Sequence, residues 1–184
     1  MSEIVKTYML DNPSVMIPME RAAFYKEQIK QYALHGKPSR AVEVINIFLF
    51  NEKKQLLVQK RSQTKAHNPW LSDKSLWGHV QSHDTVDFTV LVETIQELEV
   101  PSILLRPEQQ DIAASMHVLK KFIQTVALMI PMDRRIIEVP KIIKWQEVVI
   151  ANYTNVFLGL YGWRIKNADS EAAGLIFYDF ENLQ

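Results

Sequence analysis

The sequence predicts an α+β fold, a mixed sheet covered by one or two helices, and three observations carry that expectation. Runs of β-branched and aromatic residues recur along the chain with polar turns between them. Two other stretches place apolar residues at helical spacing and stop at Gly or Pro. Finally, 184 residues without repeats or low-complexity stretches suit one self-supporting core.

The first forty residues divide at Pro18. Residues 20–35 then predict a helix, with Ala22, Tyr25, Ile29, Tyr32 and Ala33 along one side and Gly36 and Pro38 closing it. Residues 1–38 are accordingly expected to be an N-terminal extension with one helix packed on the main domain, 39–184. From Ala41 the pattern changes. AVEVINIFLF, the turn NEKK and the run QLLVQKR predict a β-hairpin, and the polar stretch 62–75, broken at Asn68-Pro69, predicts a surface loop.

After LWGHV, Asp84 is expected to cap a helix with Asp87 at its third position, running to about Glu99 before Pro101. Its apolar side is read as Leu91, Ile95 and Leu98 with Phe88. SMHVL, FIQTVALMI, NVFLGLYGW and GLIFYDF predict further strands, with residues 133–152 a mixture of strand and helix.

Charge and composition narrow the function. Twenty-one basic residues balance twenty-one acidic ones, which removes the broad attraction that general nucleic-acid binding relies on. The absence of cysteine excludes disulfides, thiolate nucleophiles and Cys-ligated zinc. Residues 1–11 do not resemble a secretory signal, and no apolar run approaches the roughly 20 residues of a membrane helix. The expectation is a cytoplasmic protein with no membrane partner; a homodimer is compatible with it.

Glu93, Gln96 and Glu97 fall at i, i+3 and i+4 and project from a common helix face. Carboxylates one turn apart suit a hard divalent cation, with water and substrate phosphate filling its other positions. The same spacing also describes an ordinary exposed helix face, where like charges cost little.

This region resembles the box of the Nudix superfamily, G-x5-E-x7-R-E-U-x-E-E-x-G-U, in which U is a bulky aliphatic residue. Gly78, Glu93, Glu97 and Val100 match, and Asp84 replaces the first Glu. Val92, Thr94, Gln96 and Glu99 stand where Arg, an aliphatic residue, Glu and Gly belong, so the box is degenerate. The stretch from Ser39 through GHV resembles Nudix proteins related to isopentenyl diphosphate isomerase, and ADSEAAGLIFYDFENL resembles the end of such domains.

The resemblance implies a Nudix-type α/β/α sandwich and a site that binds Mg²⁺ or Mn²⁺ through Glu93, Gln96 and Glu97, with Glu93 and Glu97 catalytic. Gln96 offers a neutral oxygen in place of a third carboxylate, and Val92 lacks the Arg that orients its neighbours. Arg61 and Lys65 are implied to bind the substrate diphosphate; the alternative for both is solvated surface charge. His79 occupies a metal-ligand position of the isomerase but equally suits a structural role, and Glu171 is a candidate base. His67, His83 and His117 have no metal-binding spacing.

Isomerase chemistry itself is excluded, because it uses a cysteine where Trp77 stands here. Two readings follow. One is a metal-dependent hydrolase of a nucleoside diphosphate linked to another moiety; the other is a non-catalytic module that binds a nucleotide or diphosphate ligand.

Overall fold

The structure, a computed structural model, describes residues 2–63, 71–106, 121–143, 146–162 and 172–179. The described strands form one mixed sheet with the central order β10-β4-β3-β9-β8-β7. These are β3 (Arg40–Phe50), β4 (Gln55–Arg61), β7 (Ser102–Leu104), β8 (Ala127–Ile143), β9 (Gln146–Leu160) and β10 (Ala172–Asp179). Pairing is parallel between β3 and β9 and between β7 and β8; the other pairs are antiparallel.

Ahead of the expected helix, β1 (Ile4–Met9) and β2 (Met16–Glu20) form a hairpin, and β1 pairs with β3. The N-terminal segment therefore contributes strands to the central sheet as well as a helix. The helix itself, α1 (Arg21–His35), lies where the spacing placed it and ends at Gly36, which takes the left-handed conformation that glycine adopts without strain.

The expected hairpin of β3 and β4 forms, but its arms separate after the single register pair Phe50↔Leu56. Two short strands fill the gap: β5 (Ser72–Asp73) pairs with β4, and β6 (Leu76–His79) pairs with β3. Buried Ser75 joins the two sides, accepting from Leu49 N at 2.7 Å and donating to Leu57 O at 2.6 Å. Part of the expected 62–75 loop is thus sheet, and 64–70 lies outside the described residues. The expected strand SMHVL lies outside them too. FIQTVALMI is a turn up to Thr125 and becomes strand from Ala127, and the described part of 133–152 is all strand.

Alternation along the strands assigns a core to each face of the sheet. Val42 and Val44 of β3 pack with Phe24 and Tyr25 of α1. Ile45, Ile47 and Leu49 pack with Val90 and Leu98 of the second helix, α2 (Val86–Leu98). The helices consequently cover opposite faces. On β6 the same rule puts Trp77 toward α1 and Leu76 toward α2.

β8 changes phase along its length. A bulge between Pro131 and Asp133 inserts one residue against β9. Ala127 and Met129 therefore point into the α2 core, whereas Ile143, of the same parity, points into the α1 core.

Helix α2 corrects two expectations. Its cap is Thr85 rather than Asp84, the Thr85 hydroxyl accepting from Phe88 N at 3.1 Å, and its last turn closes on Glu99 at φ 55°. Its buried side is Thr89, Val90, Thr94, Glu97 and Leu98, while Ile95 and Phe88 are 54% and 49% exposed. Of the apolar side read from sequence, Leu98 alone is fully buried. Polar residues occupy the inner face because each has a partner: the Thr94 hydroxyl donates to Val90 O at 2.7 Å and meets Ser102 Oγ at 2.9 Å.

Candidate active site

The inward rotation of α2 brings both candidate glutamates against the sheet. Glu97 is 9% exposed and accepts a hydrogen bond from Gln59 Nε2 of β4 at 2.7 Å. Glu93, half-buried, lies over Gly78 of β6, where any Cβ would overlap its carboxylate. A side chain at position 78 would therefore displace the Glu93 carboxylate from this seat. Gln96 is exposed. The three residues read from sequence thus separate into two carboxylates turned toward β4 and β6 and one amide turned toward solvent.

Arg61 stands two residues beyond Gln59 on β4 and pairs with Asp73 of β5 at 3.0 Å. Lys65, Glu171, His67 and His117 lie outside the described residues. His83 is exposed beside Asp84, at 3.4 Å. His79 is buried on the α1 face, with Nε2 3.2 Å from the Tyr25 hydroxyl and Nδ1 3.8 Å from Glu3 Oε1. Trp77 packs edge-on to its ring. These contacts match the structural role for His79, since strand alternation directs it to the face opposite Gly78 and Glu93.

Two cavities flank this region. Beside the start of α2, a cavity of about 530 Å³ is lined by Lys6, Tyr8, Glu43, Arg134 and Phe157, among others. Of the carboxylates that line it, Glu43 is 1% exposed and accepts from Tyr8 Oη at 2.9 Å, Arg134 Nη2 at 3.0 Å and Asn155 Nδ2 at 3.2 Å. Burial and the neighbouring Glu43 charge both push the Tyr8 hydroxyl pKa up. Three donors on one buried carboxylate make this a satisfied network joining β1, β3, β8 and β9.

The second cavity, about 90 Å³, is lined by Arg61, Asp73, Lys74, Trp77, Val139, Lys141 and Asn152. The Lys141 ammonium lies 5.1 Å from the Trp77 ring centre and 5.3 Å from that of Tyr25, and 3.3 Å from the Tyr25 hydroxyl. Burial, with Lys74 and Arg61 nearby, pushes its pKa down to about 8. Burial likewise raises Tyr25 to about 12. Sequence reasoning missed Lys74, Lys141 and Asn152. No motif marks them; Lys141 is placed by the bulge in β8, Asn152 by the parallel pairing of β3 with β9, and Lys74 by its place between β5 and β6.

Among solved structures, the chain is similar to DR0079 from Deinococcus radiodurans, at 18% identity and a TM-score of 0.61, covering 98% of this chain and 86% of that one. It is also similar to the MutT protein from Methanosarcina mazei Go1, at 16% identity and a TM-score of 0.50, covering 77% of this chain and 78% of that one. The chain shares their fold. This mixed, curled sheet with two helices is consistent with the Nudix fold. No protein-family model matches the chain, and a search of curated proteins finds no match. No described helix is long and apolar enough to cross a membrane.

Proposed function

We propose that the protein is a cytoplasmic Nudix hydrolase, of the branch resembling isopentenyl diphosphate isomerase, that acts on a nucleoside diphosphate linked to another moiety. The observation that carries this reading is the placement of Glu93 and Glu97, one helical turn apart and both turned toward the sheet, Glu97 onto Gln59 of β4 and Glu93 over Gly78 of β6. Arg61 offers a planar fork for phosphate oxygens, and Lys65, four residues on, a second cation.

The donor set fits a hard divalent ion held by few protein ligands. Among the described residues no group of three acidic or histidine side chains gathers to hold a metal. Two carboxylates do suit Mg²⁺ or Mn²⁺, which keep several waters and take further oxygens from a bound phosphate. Glu93 and Glu97 would hold the ion, with the Gln96 amide available from the exposed side of the helix. When bound, it supplies charge neutralisation on the diphosphate and a more acidic water. The chain's own contribution is to fix Glu97 through Gln59, to seat Glu93 over Gly78 and to hold the diphosphate on Arg61 and Lys65.

The test is Mg²⁺-dependent phosphate release from a panel of nucleoside diphosphate compounds by wild type and Glu97→Gln. A fall in kcat of about a hundredfold supports the reading, comparable to removing one preorganised electrostatic group. The exposed Gln96 in place of a third acid supports a second reading, a binding module without turnover. Tight binding of a panel member that wild type never hydrolyses would select it.

A further inference from the structure

Strand β8 leaves one edge open over most of its length. Residues 133–143 pair with β9 on one side, while on the other β7 reaches only Ala127, Leu128 and Met129. Among the described residues no strand pairs with β8 beyond that point. Residues 132–136 are exposed in succession, on both faces of the strand, where β8 runs past the end of its neighbour.

An open edge carries a row of backbone N–H and C=O groups ready to pair with another strand. Two prolines bound this one. Proline has no N–H to donate and is accommodated in a sheet where its nitrogen faces away from the paired strand. Pro140, opposite Val149 of β9, therefore turns its backbone to the open side, and by alternation so do Glu138, Ile136 and Arg134. The stretch 132–139 lies between Pro131 and Pro140 with every donor intact. Prolines and charges on an edge discourage indiscriminate pairing, and here their order selects a partner.

The side chains of this stretch complement their own reverse. If a second copy pairs antiparallel about a two-fold axis normal to the sheet, each residue meets one of the same parity on the same face. With Ile136 on the axis, Arg134 stands opposite Glu138 of the second copy, once on each side. Moving the axis to Arg135 or Glu138 opposes like charges, and moving it to Ile137 separates Arg134 from Glu138. The residues concerned are accessible. Ile136 is 37% exposed. Glu138 is exposed, faces Ala151 on β9 and has no ion-pair partner among the described residues. Arg134 is held by one Nη2 bond to Glu43 and by the Tyr153 ring, 4.4 Å from its guanidinium carbon. Its side chain is nevertheless 52% exposed, which leaves further N–H groups of the fork for a second carboxylate.

We propose that the protein forms a two-fold homodimer by antiparallel pairing of β8 with β8 of a second copy, in register about Ile136. Backbone hydrogen bonds supply the contact, and the two Arg134–Glu138 pairs fix the register. The interface stands independently of whether the carboxylate pair hydrolyses anything.

The test uses the full chain, which contains no cysteine. Sedimentation equilibrium of wild type is expected to show a reversible monomer–dimer equilibrium between micromolar and near-millimolar loading. Glu138→Arg, which sets two arginines opposite each other twice, is expected to weaken the dimer about tenfold or more, while Lys26→Gln on α1 leaves it unchanged. Ile136→Cys places a single thiol on the axis, where opposed residues lie about 5.5 Å apart between Cα atoms, within disulfide reach. Met132→Cys places one roughly 26 Å from its symmetry mate along the strand. Under mild oxidation Ile136→Cys is therefore expected to give covalent dimer about tenfold faster or more than Met132→Cys. Thermal melts check that each variant folds; should Ile136→Cys fail, Glu138→Arg, at an exposed position, carries the test. A wild type that stays monomeric, a dimer unchanged by Glu138→Arg, or equal cross-linking at positions 132 and 136 each overturns the proposal. Failure of the hydrolase assay leaves these results untouched.

Discussion

Gln59 donates a hydrogen bond of 2.7 Å to Glu97, tying the last full turn of α2 to β4. A carboxylate with so little exposure needs such a donor. Gln59→Leu is therefore expected to destabilise the fold by about 1 to 3 kcal/mol, the cost of leaving a buried polar group short of a partner. Gln59→Leu combined with Glu97→Leu should recover part of that loss, because both polar groups then leave together. Denaturant midpoints for the two single variants and the double variant check this, and strictly additive losses would show that the pair is not coupled.

The orientation of α2 gives an equally direct comparison. Leu98 is fully buried and Ile95 is 54% exposed, so Leu98→Ala should cost about 2 to 5 kcal/mol and Ile95→Ala less than about 1. Equal losses in urea unfolding would mean that Ile95 is also packed.

This helix shows where sequence patterning stops being sufficient. Its boundaries were legible to within a residue because Asp87 and Pro101 bracket an apolar run, although the cap is Thr85 and not the Asp84 read from the sequence. Its rotation was not, since Ile95 looks like core and Glu97 like surface until Gln59, 38 residues away, is seen to meet Glu97. Strands β3, β4 and β10 were legible from their alternation, and the glutamate pair from spacing and resemblance. By contrast, β1 and β2 are short, β2 contains Pro18, and they gain meaning only through pairing with each other and, for β1, with β3. Lys141 was invisible as a site residue because one bulge, at Pro131/Asp133, decides which face it joins.

The neutral oxygen at Gln96 sets a third expectation. Gln96 is exposed, so Gln96→Glu should leave stability nearly unchanged while adding a charge beside Glu93 and Glu97. Mn²⁺ affinity, measured by water-proton relaxation, should rise several-fold. If it stays the same, position 96 is not a ligand of the ion.

The last expectation concerns alkaline pH and follows from Lys141. In the unfolded chain its ammonium titrates at the usual 10.5; burial and the nearby Lys74 and Arg61 lower this to about 8 in the folded protein. Between these values the unfolded chain binds more protons, so stability rises with pH across that window and the gain is lost again as pH falls through about 8. The interval corresponds to at most about 3 kcal/mol. Tyr25 acts in the opposite sense: its folded value is raised to about 12, so its contribution is present below pH 10 and is lost above it. Tyr8, raised as well, acts in the same direction as Tyr25. The rise is accordingly read between pH 8 and 10, from urea midpoints at half-unit steps. Lys141→Met should remove it. A slope that persists in Lys141→Met belongs to another group, and the ammonium is then not the residue that resists being charged in this cavity.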